Sequence, residues 1–351
     1  MNADKDFRSV ILQRHAAMLS IILNRPHAIN SLNNEMVCLI AKGLKEAFAD
    51  ETCRFVMFTG AGTKGFCAGG DIQELARAAK ANDQELLKRF FEEEFSMDLM
   101  IHEAPKPVVV IADGVTMGGG LGIAAGADII IATERSRMAM PESRIGFFPD
   151  VGSTGWLFRR CRKGYPEYLA LTGYYMTGSE CVRLGLATHL VDSGRVPEIV
   201  SILQSFKPAA AGNDGLLAEI LNKLDEFIIR DIPQNKAMDE WVAEYFAGKS
   251  SLNDILVPLM QCSTEKNLCD EVFASISERS PTSLSATLKL LRYNEGKPMK
   301  EVFAKELKAA LFLTRYPDFA EGVRARLIDK DDKPRWQPER LELVDPDSLD
   351  F

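Results

Sequence analysis

Residues 56–72 read VMFTGAGTKGFCAGGDI, an apolar run followed by two clusters of glycine. The segment GAGTKG at residues 60–65 matches the G-x-G-x-x-G fingerprint, in which the last glycine opens a helix whose amino end binds a dinucleotide pyrophosphate. Here Gly65 is followed by more predicted loop up to Asp71, and the stretch after it is helical. No second strand is left to carry an acidic residue for the ribose, so the context argues against a nicotinamide or flavin cofactor.

A second glycine-rich loop gives these residues another role. FCAGGD at residues 66–71 and GVTMGGG at residues 114–120 each follow an apolar strand and lead into a predicted helix. Backbone N–H groups at two helix starts suit the negative charge that develops on a carbonyl oxygen during acyl transfer. The alternative is two tight turns whose glycines supply positive φ or close packing. Because both loops occur at strand-to-helix junctions, the pair favours an oxyanion hole.

Composition limits the remaining classes of function. The 351 residues are 46% hydrophobic and 26% charged, which predicts one large globular domain with an appendage. The net charge of −8 argues against a nucleic-acid partner. Seven cysteines without a C-x-x-C pair predict reduced thiols, and four histidines without ligand spacing predict no metal site. The apolar runs are too short for a membrane span, and MNADKDFRSV at the start lacks the features of a targeting segment.

Hydrophobic periodicity divides the chain into two parts. Strands alternate with helices up to about residue 195, which predicts parallel sheets with crossover helices. Beyond that point only amphipathic helical patterns follow, and the charged, proline-containing tail from Asp329 predicts a loosely ordered or surface-wrapped segment. We therefore expect a catalytic core at residues 1–195 and a helical C-terminal region with an extended tail at residues 196–351.

Three blocks of the sequence resemble the crotonase (enoyl-CoA hydratase/isomerase) superfamily. They are NRPHAIN at 24–30, FCAGGD at 66–71 and DGVTMGGGLGIAAGADIIIATE at 113–134. The resemblance implies an α/β fold, a spiral of ββα units with a helical C-terminal region, that acts on acyl-CoA thioesters. The oxyanion donors of the family fall on the N–H groups of Gly70 and Gly119. The resemblance implies no cofactor, because coenzyme A is part of the substrate. Members of the family form trimers, hexamers and smaller assemblies, so the resemblance also implies that a homo-oligomer is possible.

The carboxylates distinguish among the reactions of this superfamily. Hydratases typically use two glutamates, and the first of these positions is Gly122 here, whereas the second is Glu142 of the Pro141-Glu142 pair. The block MPESRIGFFPDVG at 140–152 also places Asp150 where hydratases usually have glycine. This block resembles the 3-hydroxyisobutyryl-CoA hydrolase subfamily, as do SPTSL at 280–284 and DFAEGVRARLIDKDDKPRWQP at 318–338. The resemblance implies hydrolysis of a short, branched β-hydroxyacyl-CoA, with the 3-hydroxyisobutyryl-CoA of valine breakdown favoured.

The implied roles follow residue by residue. Glu142 attacks the thioester carbonyl to give a mixed anhydride, or it acts as general base for a water molecule. Asp150 hydrogen-bonds the 3-hydroxyl of the substrate or orients water. Glu94 falls on a third position that faces the acyl group, although its neighbours Glu92 and Glu93 equally suit a solvated acidic face. With Gly119, these three carboxylates are the expected substrate-binding residues.

Two alternatives stay open at this point. One is an enoyl-CoA isomerase or hydratase that uses Glu142 as its single acid/base, and the other is a non-catalytic acyl-CoA-binding relative. Glu142 and Asp150 together argue against the second, whereas Gly122 argues only against a two-glutamate hydratase. Cys67 has no histidine near it in sequence, which argues against a thiol nucleophile. We expect a cytoplasmic enzyme in a bacterium and a mitochondrial matrix enzyme in a eukaryote.

Overall fold

A computed structural model describes residues 8–209, 212–345 and 348–351. Residues 1–7, on which the expectation about targeting depends, lie outside the described residues. The chain forms two compact units. The sheet unit contains Met1–Gly70, Ser96–Met138 and Met176–Pro233, and the helical unit contains Asp71–Phe95, Ala139–Tyr175 and Gln234–Phe351. The predicted division at residue 195 stays a prediction.

The strands form two sheets. In chain order they are β1 (Val10–Arg14), β2 (Met18–Leu23), β3 (Phe55–Gly60), β4 (Gly65–Cys67), β5 (Val108–Ala112), β6 (Val115–Met117), β7 (Ile129–Thr133), β8 (Arg137–Ala139), β9 (Met176–Thr177) and β10 (His189–Val191). The larger sheet has the order β1-β2-β3-β5-β7-β10, and the smaller has the order β4-β6-β8-β9. Only the β1–β2 pair of the larger sheet is antiparallel, and the pairs from β2 to β10 are parallel, with Val109 opposite Ile129. Parallel neighbours need crossover connections, which explains the alternation of strand and helix in the sequence.

The helices carry the predicted hydrophobic stripes. Their bounds are α1 (Asn34–Ala49), α2 (Ile72–Lys80), α3 (Gln84–His102), α4 (Gly119–Ala125), α5 (Ser153–Arg160), α6 (Tyr165–Thr172), α7 (Ser179–Arg183), α8 (Val196–Ser205), α9 (Asn213–Leu224), α10 (Lys236–Phe246), α11 (Asn253–Gln261), α12 (Lys266–Ser277), α13 (Pro281–Asn294), α14 (Met299–Leu313) and α15 (Pro317–Val323). Asn33 caps α1 by accepting a 3.0 Å hydrogen bond from the Met36 amide. The α/β fold and the helical C-terminal region are thus as predicted.

One hydrophobic cluster of the sheet unit lies between the larger sheet and helices α8 and α9. Ile199 and Leu203 of α8 pack with Phe55 and Val109, and they are joined by residues of α9 such as Ile220. Each such side chain contributes about 1.5–3 kcal/mol when it leaves water. The helices that begin the C-terminal region therefore complete the core of the sheet unit.

The C-terminal tail wraps on the surface of the helical unit. Trp336 is buried, and its indole N–H donates a 3.0 Å hydrogen bond to the Glu278 carbonyl. The Arg324 guanidinium holds the start of the tail, because it donates hydrogen bonds of 2.7 Å to the carboxylates of Asp329 and Asp331. The tail is thus anchored by one aromatic side chain and a set of ion pairs.

Two expectations are corrected by the structure. The segments around Phe66 and Thr116, which the sequence predicts as loop, form the short paired strands β4 and β6, because three-residue strands are too short for a periodic signal. Cys262 and Cys269 form a disulfide, so the prediction of seven free thiols is wrong for this pair. Among the described residues, no helix is both long and apolar enough to cross a membrane.

Candidate active site

The fingerprint glycines serve close backbone packing. A Cβ atom at Gly65 would lie 2.5 Å from the Val115 amide nitrogen, and one at Gly60 would lie 2.6 Å from the Phe66 carbonyl oxygen. Both approaches are shorter than any side chain allows, so only glycine fits. Gly65 also begins strand β4 and not a helix, so the dinucleotide interpretation has no structural support here.

Asn30 fixes the loop that precedes the first candidate oxyanion donor. Its buried amide nitrogen lies 3.0 Å from the Ala61 carbonyl oxygen and 3.1 Å from those of Gly65 and Phe66. Its own carbonyl oxygen accepts a hydrogen bond from the Cys67 thiol at 3.2 Å. These contacts give Asn30 and Cys67 structural roles at the base of the loop, and the sequence did not reveal the role of Asn30.

The two glycine-rich loops touch each other within the sheet unit. A Cβ atom at Gly69 would lie 3.6 Å from the Gly119 nitrogen, and one at Gly120 would lie 2.6 Å from the Cys67 oxygen. Gly119 is the first residue of α4, where amide groups have no intrahelical acceptor, and Gly118 before it has φ 48° and ψ −124°, a conformation that favours glycine. Gly70 forms an isolated bridge with Leu32. That the N–H groups of Gly70 and Gly119 bind one substrate oxygen stays a prediction.

Glu142 belongs to the helical unit and begins a short 3-10 turn, Glu142–Ile145. The turn ends at Gly146, whose φ is 71° and whose missing Cβ would lie 2.4 Å from the Asp318 carbonyl oxygen. Glu142 is 7% exposed, and its buried Oε2 atom has no hydrogen-bond partner among the described residues. A buried carboxyl oxygen without a donor is costly to keep, and such atoms call for an explanation in the chemistry of a site.

Asp150 lies at the start of a strained turn. Val151 after it has φ 50°, which is rare for a β-branched residue, and Gly152 has φ 80°. The Asp150 carbonyl accepts from the Ser153 amide at 2.9 Å, and the Trp156 indole donates to the Val151 carbonyl at 3.0 Å. The turn holds the Asp150 carboxyl in a position that is itself only 7% exposed.

Glu94 lies on the inner side of helix α3. It is 3% exposed, whereas Glu92 is exposed on the same helix. The alternative of a solvated acidic face therefore applies to Glu92 and not to Glu94. Its predicted contact with the acyl group stays a prediction.

The buried carboxyl groups of the helical unit, among them Glu142, Asp150 and Glu94, interact electrostatically. Burial, and then the neighbouring charge of Asp150, raise the pKa of Glu142 well above its ordinary value, and Glu94 and Glu306 contribute. Burial and the charge of Asp150 likewise raise the pKa of Glu94. Burial raises the pKa of Asp150 to about 7. Like charges repel each other strongly in a medium of low dielectric. At neutral pH, therefore, not all of these carboxyls are ionised at the same time. We call Glu94, Glu142, Asp150 and Glu306 the carboxyl cluster.

Glu306 is the member of the cluster that sequence reasoning missed. It is fully buried on α14, where it follows Val302 and Phe303 and precedes Ala309 on the buried face of the helix. A charged residue at an apolar position of an amphipathic stripe is an anomaly that could have identified it.

Aromatic side chains surround this region of the helical unit. Phe147 stacks on Phe91 with 5.7 Å between ring centroids, and it lies 5.4 Å from Phe319. Phe95 contacts Phe303 of α14 at 5.7 Å. These rings form an apolar cluster in the interior of the helical unit.

The fold and these features define the class of protein. The family model for enoyl-CoA hydratase/isomerase matches residues 18–351, and the chain belongs to this family, the crotonase superfamily. Hydrolases and hydratases are both found among the proteins similar to it.

Curated relatives match nearly the whole chain. The 3-hydroxyisobutyryl-CoA hydrolases named as mitochondrial in Gallus gallus and Mus musculus are each 36% identical to it, over 97% and 99% of this chain and 87% and 89% of their own lengths. The Homo sapiens protein of the same name is 34% identical over 97% of this chain and 87% of its own length.

Two solved structures have the same fold over the full length. A carnitinyl-CoA dehydratase from Mycobacterium thermoresistibile has a TM-score of 0.86 at 31% identity, covering 97% of this chain and 95% of that one. An enoyl-CoA hydratase from Rhodobacter sphaeroides has a TM-score of 0.85 at 30% identity, covering 97% and 96%.

Proposed function

We propose that this protein hydrolyses acyl-CoA thioesters, with 3-hydroxyisobutyryl-CoA as the substrate, to give 3-hydroxyisobutyrate and coenzyme A. The observation that carries the proposal is the carboxyl cluster, in which Glu142 and Asp150 are buried together. Gly122, a buried residue of α4, has no carboxylate to offer as the first glutamate of a hydratase. The curated relatives over nearly the full length bear the hydrolase name.

The reaction begins at the thioester carbonyl carbon. The N–H groups of Gly70 and Gly119 bind the carbonyl oxygen, on which negative charge develops in the transition state. Ionised Glu142 attacks the carbon, the carbon–sulfur bond breaks, and the departing thiolate takes a proton. Water then opens the mixed anhydride and restores the Glu142 carboxylate, so that one water molecule is consumed for each thioester.

We propose direct attack by Glu142, with general-base catalysis as the alternative. The Oε2 atom, which has no hydrogen-bond partner among the described residues, has its lone pairs available either for the carbonyl carbon or for a proton of water. Hydroxylamine added during turnover should convert an anhydride on Glu142 into a hydroxamate, which mass spectrometry of the peptide would locate. A general base would leave that peptide unmodified.

Asp150 supplies the selectivity for a 3-hydroxyl group. With its pKa at about 7, the carboxyl is partly protonated at neutral pH and both donates and accepts hydrogen bonds. A substrate without the hydroxyl leaves this buried group unpaired, which costs about 1–3 kcal/mol. We therefore expect 3-hydroxyacyl thioesters to react faster than their deoxy analogues.

One comparison of substrates tests the proposal. Release of free thiol from 3-hydroxyisobutyryl-CoA is measured beside the loss of the enoyl chromophore of crotonyl-CoA. We expect rapid thiol release and little hydration. Hydration or double-bond migration without thiol release would favour the enoyl-CoA hydratase or isomerase alternative, for which the names of the solved neighbours provide the precedent.

Partners and compartment follow from the same proposal. The acyl-CoA ester is the proposed partner, without a metal or a further cofactor. The curated relatives are named as mitochondrial, so the mitochondrial matrix is the proposed compartment if the source is a eukaryote. Homo-oligomer formation stays a prediction from the family.

A further inference from the structure

We propose that Glu306 is a positioning residue of the carboxyl cluster, which holds the turn that carries Asp150. This inference rests on the proposed function. It concerns a side chain that lies 156 residues after Asp150 in the sequence and that neither the family motifs nor the relatives' names single out.

The hydrogen bonds of Glu306 define its mechanical role. Its Oε2 accepts from the Gly152 amide at 2.6 Å, and its Oε1 accepts from the Thr154 amide at 3.1 Å and the Thr154 hydroxyl at 2.5 Å. Asn294 donates to the same hydroxyl oxygen at 2.8 Å. Since the Thr154 proton is directed to Glu306 and both amides are donors, the arrangement matches an ionised carboxylate.

This carboxylate takes the place of a capping side chain for α5. Gly152 precedes the helix and has no side chain with which to accept from the first-turn amides, so Glu306 accepts from them instead. A side chain at Gly152 would lie 2.6 Å from Met299 and 2.8 Å from Phe303 of α14. Glu306 and the packing of α14 together restrain the strained turn at Val151.

The charge of Glu306 acts on the catalytic carboxyl. The groups whose charges raise the pKa of Glu142 are Asp150, Glu94 and Glu306. Burial raises the pKa of Glu306 to about 8, against the lowering effect of the hydrogen bonds from Thr154 and Gly152, and the Asp150 charge raises it further. The donors from Thr154 and Gly152 stabilise the ionised form of Glu306, whereas burial opposes it, so the ionisation of Glu306 and that of Asp150 depend on each other.

The test is Glu306→Gln, assayed by thiol release from 3-hydroxyisobutyryl-CoA across a range of pH. In the variant, the side-chain amide would direct an N–H₂ donor toward the backbone N–H groups of Gly152 and Thr154. The resulting misplacement of Asp150 should lower kcat/KM about 10²-fold. Loss of the negative charge should lower the pKa of Glu142, so the acidic limb of the pH profile should move to lower pH.

The matched control is Glu167→Gln. Glu167 is also a buried glutamate of the helical unit, accepting from the Gly248 amide at 3.1 Å and pairing with Arg292, but its charge is not among those that raise the pKa of Glu142. It should lose thermal stability while the acidic limb stays at the wild-type pH. If Glu306→Gln shows this same behaviour, or if its kcat and pH profile equal those of the wild type, the inference is wrong.

A second pair of variants covers the case in which Glu306→Gln does not fold. Thr154→Val removes the hydroxyl donor while it keeps the shape of the side chain, and it should lower kcat. Thr154→Ser keeps the donor and should have a kcat close to that of the wild type. A Thr154→Val enzyme with the kcat of the wild type would also overturn the inference. Failure of the proposed function would appear instead as a wild-type protein that releases no thiol.

Discussion

The charge of Asp150 raises the pKa of Glu142, eight residues before it, within the buried interior of the helical unit. Burial is the larger cause, and both act in the same direction, so Glu142 takes up a proton at higher pH than an ordinary glutamate. A nucleophilic or basic Glu142 must be ionised to act. The activity of the enzyme should therefore carry the signature of this interaction.

We expect kcat/KM for thiol release to fall as the pH is lowered, with the midpoint of this limb well above the ordinary range of a carboxyl group. The charge of Asp150 has a larger effect on the pKa of Glu142 than that of Glu306. Asp150→Asn should therefore move this limb to lower pH by more than Glu306→Gln does. It should also lower the plateau rate, because Asp150 orients the substrate hydroxyl or water. A limb that stays in place in Asp150→Asn would show that the two carboxyls do not interact in solution.

The raised pKa values also predict how stability depends on pH. A carboxyl whose pKa is higher in the folded state binds protons more tightly when folded, so its contribution is complete below the unfolded pKa and is lost as pH rises through the folded pKa. With folded pKa values of about 7 for Asp150 and about 8 for Glu306, the free energy of unfolding should decrease between about pH 4 and pH 8.

The slope for one fully shifted group is about 1.4 kcal/mol per pH unit. Urea unfolding at several pH values measures it, and Asp150→Asn should flatten the curve because one of the shifted groups is removed. A stability that rises over this interval would contradict the assignment of buried, proton-binding carboxyls.

Much of the fold could be predicted from the sequence, since buried strands and amphipathic helices leave a periodic pattern. The predicted alternation up to about residue 195 contains buried strands such as β5, and the predicted helical patterns beyond it contain helices such as α10. The short strands β4 and β6 were not predicted, because they are defined by glycine packing, which has no period. The resemblance to the hydrolase subfamily singled out Glu142 and Asp150, but three adjacent glutamates could not reveal which of them is buried, as Glu94 is. Glu306 needed the fold, which brings α14 to the Asp150 turn.

The loop that precedes α4 should not tolerate a side chain. Gly118→Ala forces φ 48° and ψ −124° on a residue with a Cβ atom, which should displace the Gly119 amide. Loss of one oxyanion donor lowers kcat by about 10²–10³-fold. Gly212→Ala in the same unit is the control, because nothing lies within 4 Å of its added Cβ, and it should keep full activity. An active Gly118→Ala enzyme would remove Gly119 from the proposed mechanism.

Asn30→Asp tests the support of the other loop. The change keeps the shape of the side chain but replaces the amide donor, which reaches three carbonyl groups, by an acceptor. Buried groups left without a partner cost about 1–3 kcal/mol each, so thermal unfolding should occur at a clearly lower temperature. Asn82→Asp is the control, since Asn82 is exposed and also has positive φ. Equal melting temperatures for the two variants would show that the Asn30 contacts contribute little.

The most direct measurement is the rate of thiol release from 3-hydroxyisobutyryl-CoA by Glu142→Gln, beside Glu92→Gln as an exposed glutamate on α3. The isosteric amide retains the packing of the 3-10 turn but can neither attack the thioester nor accept a proton from water. We predict a loss of about 10³-fold or more for Glu142→Gln, since residues of this kind are essential to covalent catalysis, and the wild-type rate for Glu92→Gln. A Glu142→Gln enzyme that releases thiol at the wild-type rate would contradict the account.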